Sequence, residues 1–181
     1  MKHYITSILI FFSVLSYGQT EIVESSTRKF IDNAHFTRII RDWTTIAEFR
    51  SGIGEYVKFY PVEITNLKTN EKVNALQLDM FIKNPDMEKT VWVGIEEIEE
   101  FITFVDKNII PNLGLKLRER SAEFLFNAKE MTFSYSVYED ERKITIKLNS
   151  YDNDKILNYT FWTITQVDKI PKLLIVLNKI K

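Results

Sequence analysis

Acidic side chains are the most abundant groups in this sequence that could carry out acid–base chemistry. The chain of 181 residues contains 25 Asp and Glu. Glycoside hydrolysis needs only two carboxylates, placed about 5 to 9 Å apart across a cleft. The candidates fall into three groups, which are Glu96, Glu97, Glu99 and Glu100, then Glu139, Asp140 and Glu141, and finally Asp152 with Asp154.

Each of these acidic groups also has a structural interpretation, which we favour over catalysis. Glutamates in the first turn of a helix suit the positive end of the helix dipole, and acids in a hairpin loop keep the turn solvated. Catalytic carboxylates are usually partly buried with a raised pKa, whereas these lie in polar runs. We therefore assign no catalytic residue. A carboxylate-based hydrolase of glycan or another extracellular polymer stays as the alternative.

Nucleophilic, metal and cofactor chemistry lack the residues that they usually need. The sequence has no Cys, and His3 and His35 are its two histidines, with no Gly-x-Ser-x-Gly elbow or Gly-rich phosphate loop beside them. Asp152-Asn153-Asp154 resembles the start of a calcium loop, but Leu157 and Thr163 stand where an EF-hand has Gly and Glu. We predict no metal ligand and no cofactor, with a weak surface Ca²⁺ site as the alternative.

Composition and charge limit the class of protein and its partners. Lys plus Arg (24) nearly balances Asp plus Glu (25), and 45% of the residues are apolar. A chain of this kind folds into one globular domain with its own core. A balanced charge gives no large field for nucleic acid or an anionic bilayer. We therefore predict no nucleic-acid partner, and leave an envelope protein or a small molecule as partner classes.

The N-terminus has the three regions of a secretory signal peptide. Lys2 is followed by an apolar run over residues 5–15, and Ser16 and Gly18 are the small residues that suit cleavage before Gln19. The run is too short to span a bilayer as a helix, which takes about 20 residues. We predict a signal peptide at residues 1–18. The rest of the chain is then exported to the periplasm or the exterior, without a transmembrane segment.

Two segments of the remaining chain carry a resemblance. They are VEITNLKTNEKVNALQLDM at residues 62–80 and VWVGIEEIEEFITFVDK at residues 91–107. With its short Ile/Phe-rich signal, the chain resembles small exported proteins of unknown function from Bacteroidota. That resemblance implies an exported α+β domain, and it brings no assigned catalytic residue.

The elements that must position any site are mainly antiparallel strands. We predict a polar N-terminal arm at residues 19–29 and one α+β domain at 30–181, with a strand between Phe30 and Phe49. Period-two alternation predicts a hairpin from Tyr60 to Ile82. Its loop includes Asn70, which tolerates a left-handed conformation. Pro61 and a change of apolar face beside it place this first strand at a sheet edge or at a bulge.

A second hairpin and two helices complete the predicted fold. Met131 to Val137 and Ile144 to Leu148 alternate strictly, and further strands are predicted at 122–127 and 156–163. Apolar residues at helical spacing predict helices from Ile95 to Ile109 and from Asp168, as N-cap, to the C-terminus. The fold class is α+β, a mainly antiparallel sheet built from hairpins with both amphipathic helices on one face.

The two halves of the chain can be overlaid. Setting Ile98 on Ile170 aligns the apolar stripes of the two helices, and each helix follows a strand with an apolar-Trp pair, Val91-Trp92 and Phe161-Trp162. One explanation of this match is the duplication of a unit made of strands followed by a helix. The other is that two unrelated segments have similar patterns because the same physical constraints act on both.

Aromatic side chains are the remaining candidates for binding, because exposed rings stack on sugars or bases. Most are predicted to belong to the core, and Tyr138, Tyr151 and Tyr159 are predicted to be exposed. We expect a non-enzymatic binding or structural module of the bacterial cell envelope, acting through a sheet face, an edge strand or a cleft. The alternatives are the hydrolase above and a carrier of a small apolar ligand.

Overall fold

The computed structural model describes residues 24–84, 86–152 and 155–180. The predicted signal peptide and the residues Asn153 and Asp154 lie outside the described residues, and so do the side chains of Tyr151 and Asp152. The described part of the chain forms nine strands, three α-helices and three short π- or 3-10-helical segments. The α+β class with antiparallel strands is confirmed.

Five strands form the first sheet. They are β1 (Thr37–Arg41), β2 (Ala47–Arg50), β3 (Tyr56–Asn66), β4 (Lys72–Ile82) and β5 (Met87–Gly94). β3 lies in the centre, with β1 and β2 following each other along one side and β4, then β5, on the other. The predicted first hairpin is confirmed as β3 and β4, and Asn70 in its loop has the expected left-handed φ of 59°.

Four strands form a second sheet, in chain order. They are β6 (Ser121–Asn127), β7 (Met131–Tyr138), β8 (Glu141–Asp152) and β9 (Lys155–Thr163). The second predicted hairpin is confirmed as β7 and β8, joined at Glu139, whose φ is 52°. The strands thus divide into two sheets, because the helix after β5 carries the chain away before β6 begins.

The helices carry the chain out of each sheet. α1 (Ser26–Asn33) precedes the first sheet, α2 (Ile95–Thr103) follows it, and α3 (Ile170–Asn178) follows the second. α2 continues through a π-helical segment (Phe104–Ile109) and a 3-10 turn (Ile110–Asn112). α2 packs on β4 and β5, α3 packs on β2 and β3, and the two helices contact each other. Both predicted helices therefore lie on one face of the first sheet.

The polar arm predicted over residues 19–29 is wrong for residues 26–29, which form the first half of α1. The strand predicted between Phe30 and Phe49 contains the end of α1 and the two short strands β1 and β2. The local composition does not predict this helix, because the residues that hold it in place lie far away in the sequence. The Ser25 side chain caps it by accepting from the Arg28 N–H at 3.1 Å.

The edge or bulge predicted at Pro61 is also wrong. β3 is central, and its register with β4 runs without interruption from Tyr56–Phe81 to Thr65–Lys72. Pro61 lies in the gap where β1 has ended and β2 has not begun, and its carbonyl accepts from the Asp42 N–H at 3.1 Å. The missing Pro N–H therefore leaves no neighbouring strand unpaired.

The change of apolar face along β3 arises because both of its faces are covered. Val57 and Phe59 belong to the main core, whereas Tyr60, Val62 and Ile64 point to the other side and form a second apolar cluster. Helix α1 packs on this second cluster through Phe30 and Ile31.

The N-cap role predicted for Asp168 is wrong as well. Asp168 lies inside a 3-10 turn (Val167–Lys169), and α3 begins at Ile170 with Pro171 in its first turn. The tighter turn takes up the residues that were predicted as the start of the α-helix, and Pro171 is tolerated there because first-turn N–H groups have no helical partner.

The main core contains residues of both sheets and of the helix that ends each half, which is α2 in the first half and α3 in the second. Phe101 of α2 is fully buried at this junction, where its ring stacks on Phe126 with centroids 4.6 Å apart and packs against Phe133 at 5.6 Å. Phe126 and Phe133 belong to the second sheet. One helix therefore fills the space between the sheets.

The two halves repeat one topology. β2 to β5 form an antiparallel meander followed by α2, and β6 to β9 form another followed by α3. The inward-facing row Phe59–Leu78–Val91 of the first sheet matches the row Phe133–Ile146–Phe161 of the second, strand by strand. Ile98 and Ile170, which the sequence overlay aligns, are both fully buried.

Replacing Phe101 by Ala should lower the free energy of unfolding by about 3 to 5 kcal/mol, the usual cost of removing a buried Phe. Urea denaturation followed by circular dichroism measures this. The control is Phe36→Ala, because Phe36 is 67% exposed and its loss should change stability by less than about 0.5 kcal/mol. Equal effects of the two substitutions would contradict the central place of Phe101 in the core.

Candidate ligand-binding site

The outer face of the second sheet carries a row of side chains with an unusual size distribution. Strand register places Leu125, Ser134, Thr145 and Trp162 side by side across the four strands. The two ends of the row are large and exposed, Leu125 at 53% and Trp162 at 55%, whereas the centre carries two small hydroxyl residues. A sheet face with large ends and a small centre is concave.

This concavity is a groove of about 500 Å³. We call it the hydroxyl groove, and ten residues line it: Glu123, Leu125, Thr132, Ser134, Glu141, Lys143, Thr145, Lys147, Thr160 and Trp162. Its floor is formed by small hydroxyl side chains of the central strands β7 and β8, and Ser134 there is only 5% exposed. Ser and Thr hydroxyls each donate one hydrogen bond and accept others. The floor can therefore pair with a ligand that presents mixed donors and acceptors.

The rim of the hydroxyl groove is charged but balanced. Lys143 and Lys147 contribute two positive charges, and Glu123 and Glu141 contribute two negative ones. Among the residues that the structure describes, none of these four side chains is in a salt bridge. The rim therefore has polar groups of both kinds free to turn toward a bound molecule.

The first sheet has a counterpart of this row, and it is covered. Tyr60, Gln77 and Trp92 are paired across β3, β4 and β5, at the places that Ser134, Thr145 and Trp162 take in the second sheet. The three side chains of the first sheet are at most 5% exposed.

Both polar members of the covered row have partners. The side-chain amide of Gln77 donates to the Tyr60 hydroxyl at 2.7 Å, and its carbonyl accepts from Arg41 at 3.0 Å. A buried polar group costs free energy unless it is paired, so this row is built for burial. The corresponding row of the second sheet has two small hydroxyl residues at its centre and an exposed Trp at its end.

A buried carboxylate holds α1 over the first sheet. Glu130, in the turn between β6 and β7, is 3% exposed. Its Oε1 accepts from the Ser25 backbone N–H at 3.2 Å and the Ser25 hydroxyl at 2.6 Å. Its Oε2 accepts from Arg28 Nη2 at 3.0 Å and from the Trp92 N–H at 3.2 Å. One side chain of the second half thus joins α1 to an edge strand of the first sheet.

Glu96 and Glu97, both candidates for acid chemistry, complete this attachment. Glu96 accepts from the Ser26 hydroxyl and from Lys129 Nζ, the latter at 2.9 Å. Glu97 accepts from the Lys129 N–H at 2.8 Å and from the Gly94 N–H at 3.4 Å. These carboxylates bind the chain itself, and are structural.

The pKa values of the two carboxylates move in opposite directions. Partial burial raises the pKa of Glu96, but the hydrogen bonds from Ser26 and Lys129 outweigh it and bring the pKa down to about 2. Burial raises the pKa of Glu97, and its backbone hydrogen bonds offset only part of that effect. Ionised Glu96 is therefore the form that the folded protein favours.

The other acidic candidates do not form a buried pair in the described part of the chain. Glu99 and Glu100 are exposed on α2, and Glu139, Asp140 and Glu141 are exposed at the second hairpin. Asp140 pairs with Lys116 at 3.1 Å. His35 is exposed, and no group of three or more metal-binding side chains is found among the described residues.

The aromatic predictions are corrected in part. Tyr138 is 60% exposed, as predicted, but Trp43 (62%) and Trp162 (55%), predicted as core, are also exposed. Trp162 follows the buried Phe161, so strand alternation turns it outward. Tyr159, predicted to be exposed, is partly buried against the core. The alternation of Phe161 and Trp162 was the signal that could have placed Trp162 on the wet face.

Comparison of the chain with protein-family models, with curated proteins and with solved structures finds no match. In the described residues, no helix combines the length and the apolar character needed to cross a membrane. The candidate site thus stands on its own geometry.

Replacing Glu130 by Ala should lower the free energy of unfolding by about 2 to 4 kcal/mol, because four donors lose a buried charged acceptor. Chemical denaturation measures the change. Glu123→Ala is the matched control, since Glu123 is exposed on the same half of the chain and its loss should be nearly neutral. An equally small effect at Glu130 would contradict its role in holding α1.

Stability should fall with acid partly through Glu96. Its pKa is lowered from 4.5 to about 2 in the folded protein, so its stabilising contribution is present above the unfolded pKa and is lost as pH falls toward 2. Measuring the free energy of unfolding from pH 6 to pH 2 should give a shallower dependence for Glu96→Gln than for the wild type. Glu100→Gln, at an exposed position of the same helix, should keep the wild-type slope.

Proposed function

We propose that this protein is an exported, non-enzymatic binding module of the bacterial cell envelope, and that the hydroxyl groove is its ligand surface. The observation that carries the proposal is the contrast between two matching rows. Tyr60–Gln77–Trp92 is at most 5% exposed, in a layer covered by α1 and by the ring of Trp43, whereas Ser134–Thr145–Trp162 lines an open groove and ends in a Trp that is 55% exposed. Export is supported by the three-region pattern of residues 1–18.

An exposed Trp is the strongest sign of binding on this face. Large aromatic side chains dominate binding energies because they bring a wide apolar area with few rotatable bonds. Trp162 leaves more than half of its surface in water, although it is the neighbour in sequence of the fully buried Phe161. A ligand that covers this ring gains its apolar contact without any rearrangement of the core.

The two alternative functions find less support. A glycan hydrolase needs a partly buried acid with a raised pKa opposite a second carboxylate, and the two carboxylates at the groove, Glu123 and Glu141, are both exposed. They also stand on β6 and β8, two strands apart and two residues out of register, which separates their Cα atoms by about 12 Å. A carrier of an apolar ligand needs an enclosed apolar cavity, whereas the hydroxyl groove is open and eight of its ten lining residues are polar or charged.

Trp162 should report ligand binding directly. Labelling with 5-fluorotryptophan gives a spectrum of only three tryptophans, which Trp43→Phe and Trp162→Phe assign by loss of a signal. Adding a soluble extract of bacterial envelope should shift or broaden the Trp162 signal and leave Trp92 unchanged.

The matched variants are Trp162→Ala and Trp43→Ala, because both rings are exposed, Trp162 on β9 in the groove and Trp43 in the turn between β1 and β2. Retention of the protein on immobilised extract should fall at least tenfold for Trp162→Ala and stay near the wild-type value for Trp43→Ala. If the extract leaves the Trp162 signal unmoved, or if both variants are retained equally, the groove is not the ligand surface.

A further inference from the structure

We propose that the hydroxyl groove binds a neutral glycan chain. This inference rests on the proposed function, in which the groove is the ligand surface, and it adds the chemical class of the ligand. Four properties of the groove carry it. The first three are the aromatic ring at one end, the floor of hydroxyl side chains and the rim with balanced charge. The fourth is that polar residues occupy the positions whose counterparts in the first sheet are covered by α1.

Trp162 offers a flat apolar surface at the end of a wet row. A sugar ring has an apolar C–H face and a hydroxylated edge, so it can stack on an indole while its hydroxyls stay hydrogen-bonded. The row from Leu125 to Trp162 crosses four strands, which is about 14 Å at the usual strand spacing. A short stretch of chain, rather than a single sugar, fits that length.

The floor matches a ligand made of hydroxyl groups. Ser134 and Thr145 stand at the centre of the row. Thr132 and Thr160 belong to the neighbouring row on the same face of the sheet. The hydroxyls of Ser134, Thr145 and Thr160 can donate and accept, as sugar hydroxyls do. The Thr132 hydroxyl donates to Asn127 Oδ1 at 3.1 Å and is left as an acceptor. A hydroxyl of the ligand can therefore find a partner here in either orientation.

An extended peptide is a poorer occupant of the same face. β7 and β8 are central strands whose backbone groups already pair with neighbours on both sides. Peptides that add to a sheet use the free hydrogen bonds of an edge strand, and none of those lies on the floor of the groove. A peptide here would leave its own backbone groups without strand partners.

The rim favours a ligand without net charge. Two lysines face two glutamates around the groove, so an anionic chain drawn to the lysines would also meet the glutamates. A polyanion therefore gains little, whereas a neutral chain can accept from lysine and donate to glutamate.

Comparison of the two sheets also excludes an apolar helix as the occupant. Beside the covered row, the first sheet presents Val62 and Ala75 to α1, and the matching positions of the second sheet are Ser136 and Lys143. A helix like α1 would bury an unpaired lysine there, which is costly. The second face is therefore suited to a hydrated ligand.

The test uses six neutral hexasaccharides of defined linkage, which are malto-, cello-, xylo-, manno- and laminarihexaose and fully N-acetylated chitohexaose, with an oligogalacturonate as the anionic comparison. Each is titrated into the 5-fluorotryptophan protein. We expect at least one neutral chain to shift the Trp162 signal, leave the Trp43 and Trp92 signals in place and bind at least ten times more tightly than the oligogalacturonate.

Thr145→Val should weaken that binding at least fivefold, because it keeps the shape of the floor and removes one hydroxyl. Thr44→Val, at an exposed Thr far from the groove, should leave it unchanged.

The envelope extract separates failure of this inference from failure of the proposed function. If no hexasaccharide binds, the extract is treated with anhydrous trifluoromethanesulfonic acid, which cleaves glycosidic bonds and leaves peptide bonds intact, or with proteinase K. Loss of the Trp162 response after the acid treatment alone supports a glycan outside the panel. Loss after proteinase K alone, survival of both treatments, or tight binding of oligogalacturonate alone overturns the neutral glycan and leaves a ligand surface. A Trp162 signal that responds to no probe and no extract overturns the proposed function itself.

Discussion

The buried carboxylate of Glu130 is the interaction on which the difference between the two outer faces depends. It belongs to the second half of the chain, yet its four donors come from Ser25, Arg28 and Trp92. Through them it holds α1 against the first sheet, where Phe30 and Ile31 cover the apolar cluster. A carboxylate taken out of water is tolerated only when donors surround it. Here the donors belong to the N-terminus of α1 and to β5. The same hydrogen bonds therefore pair the buried charge and hold α1 over the sheet.

The repeated topology then explains why the second outer face is free. Both halves place an inward row on the common core and an outward row on the opposite side, but in the part of the chain that the structure describes the helix that covers an outward row, α1, lies on the first sheet. The second face has to be stable in water without such a cover. Its central positions are accordingly Ser134 and Thr145 in place of the larger Tyr60 and Gln77. The Trp at the end of the row is common to both, and only in the second sheet is it open.

Elements whose signal is local could be predicted from the sequence. The hairpins β3–β4 and β7–β8 follow from period-two alternation, and the left-handed loop residue follows from the tolerance of Asn70 for positive φ. The attachment of α1 could not be predicted, because Glu130 lies 105 residues from Ser25 and nothing in the local pattern marks it. The wet face of the second hairpin was visible as alternating Ser, Thr and Lys. The exposure of Trp162 departs from the prediction because a large ring is typical of a core, whereas strand alternation next to the buried Phe161 turns this ring outward.

Alternation also separates stability from binding on the second sheet. Phe133 and Ser134 are neighbours in sequence, but one points to the shared core and the other to the groove, and the same holds for Phe161 and Trp162. Changes on the outward row remove no core contact, so the groove can vary in chemistry while the inward row stays fixed. Such freedom is limited to the open face, because on the first sheet the outward row is itself a core beneath α1. The second sheet is thus the part of the fold where outward residues can change while the inward row stays the same.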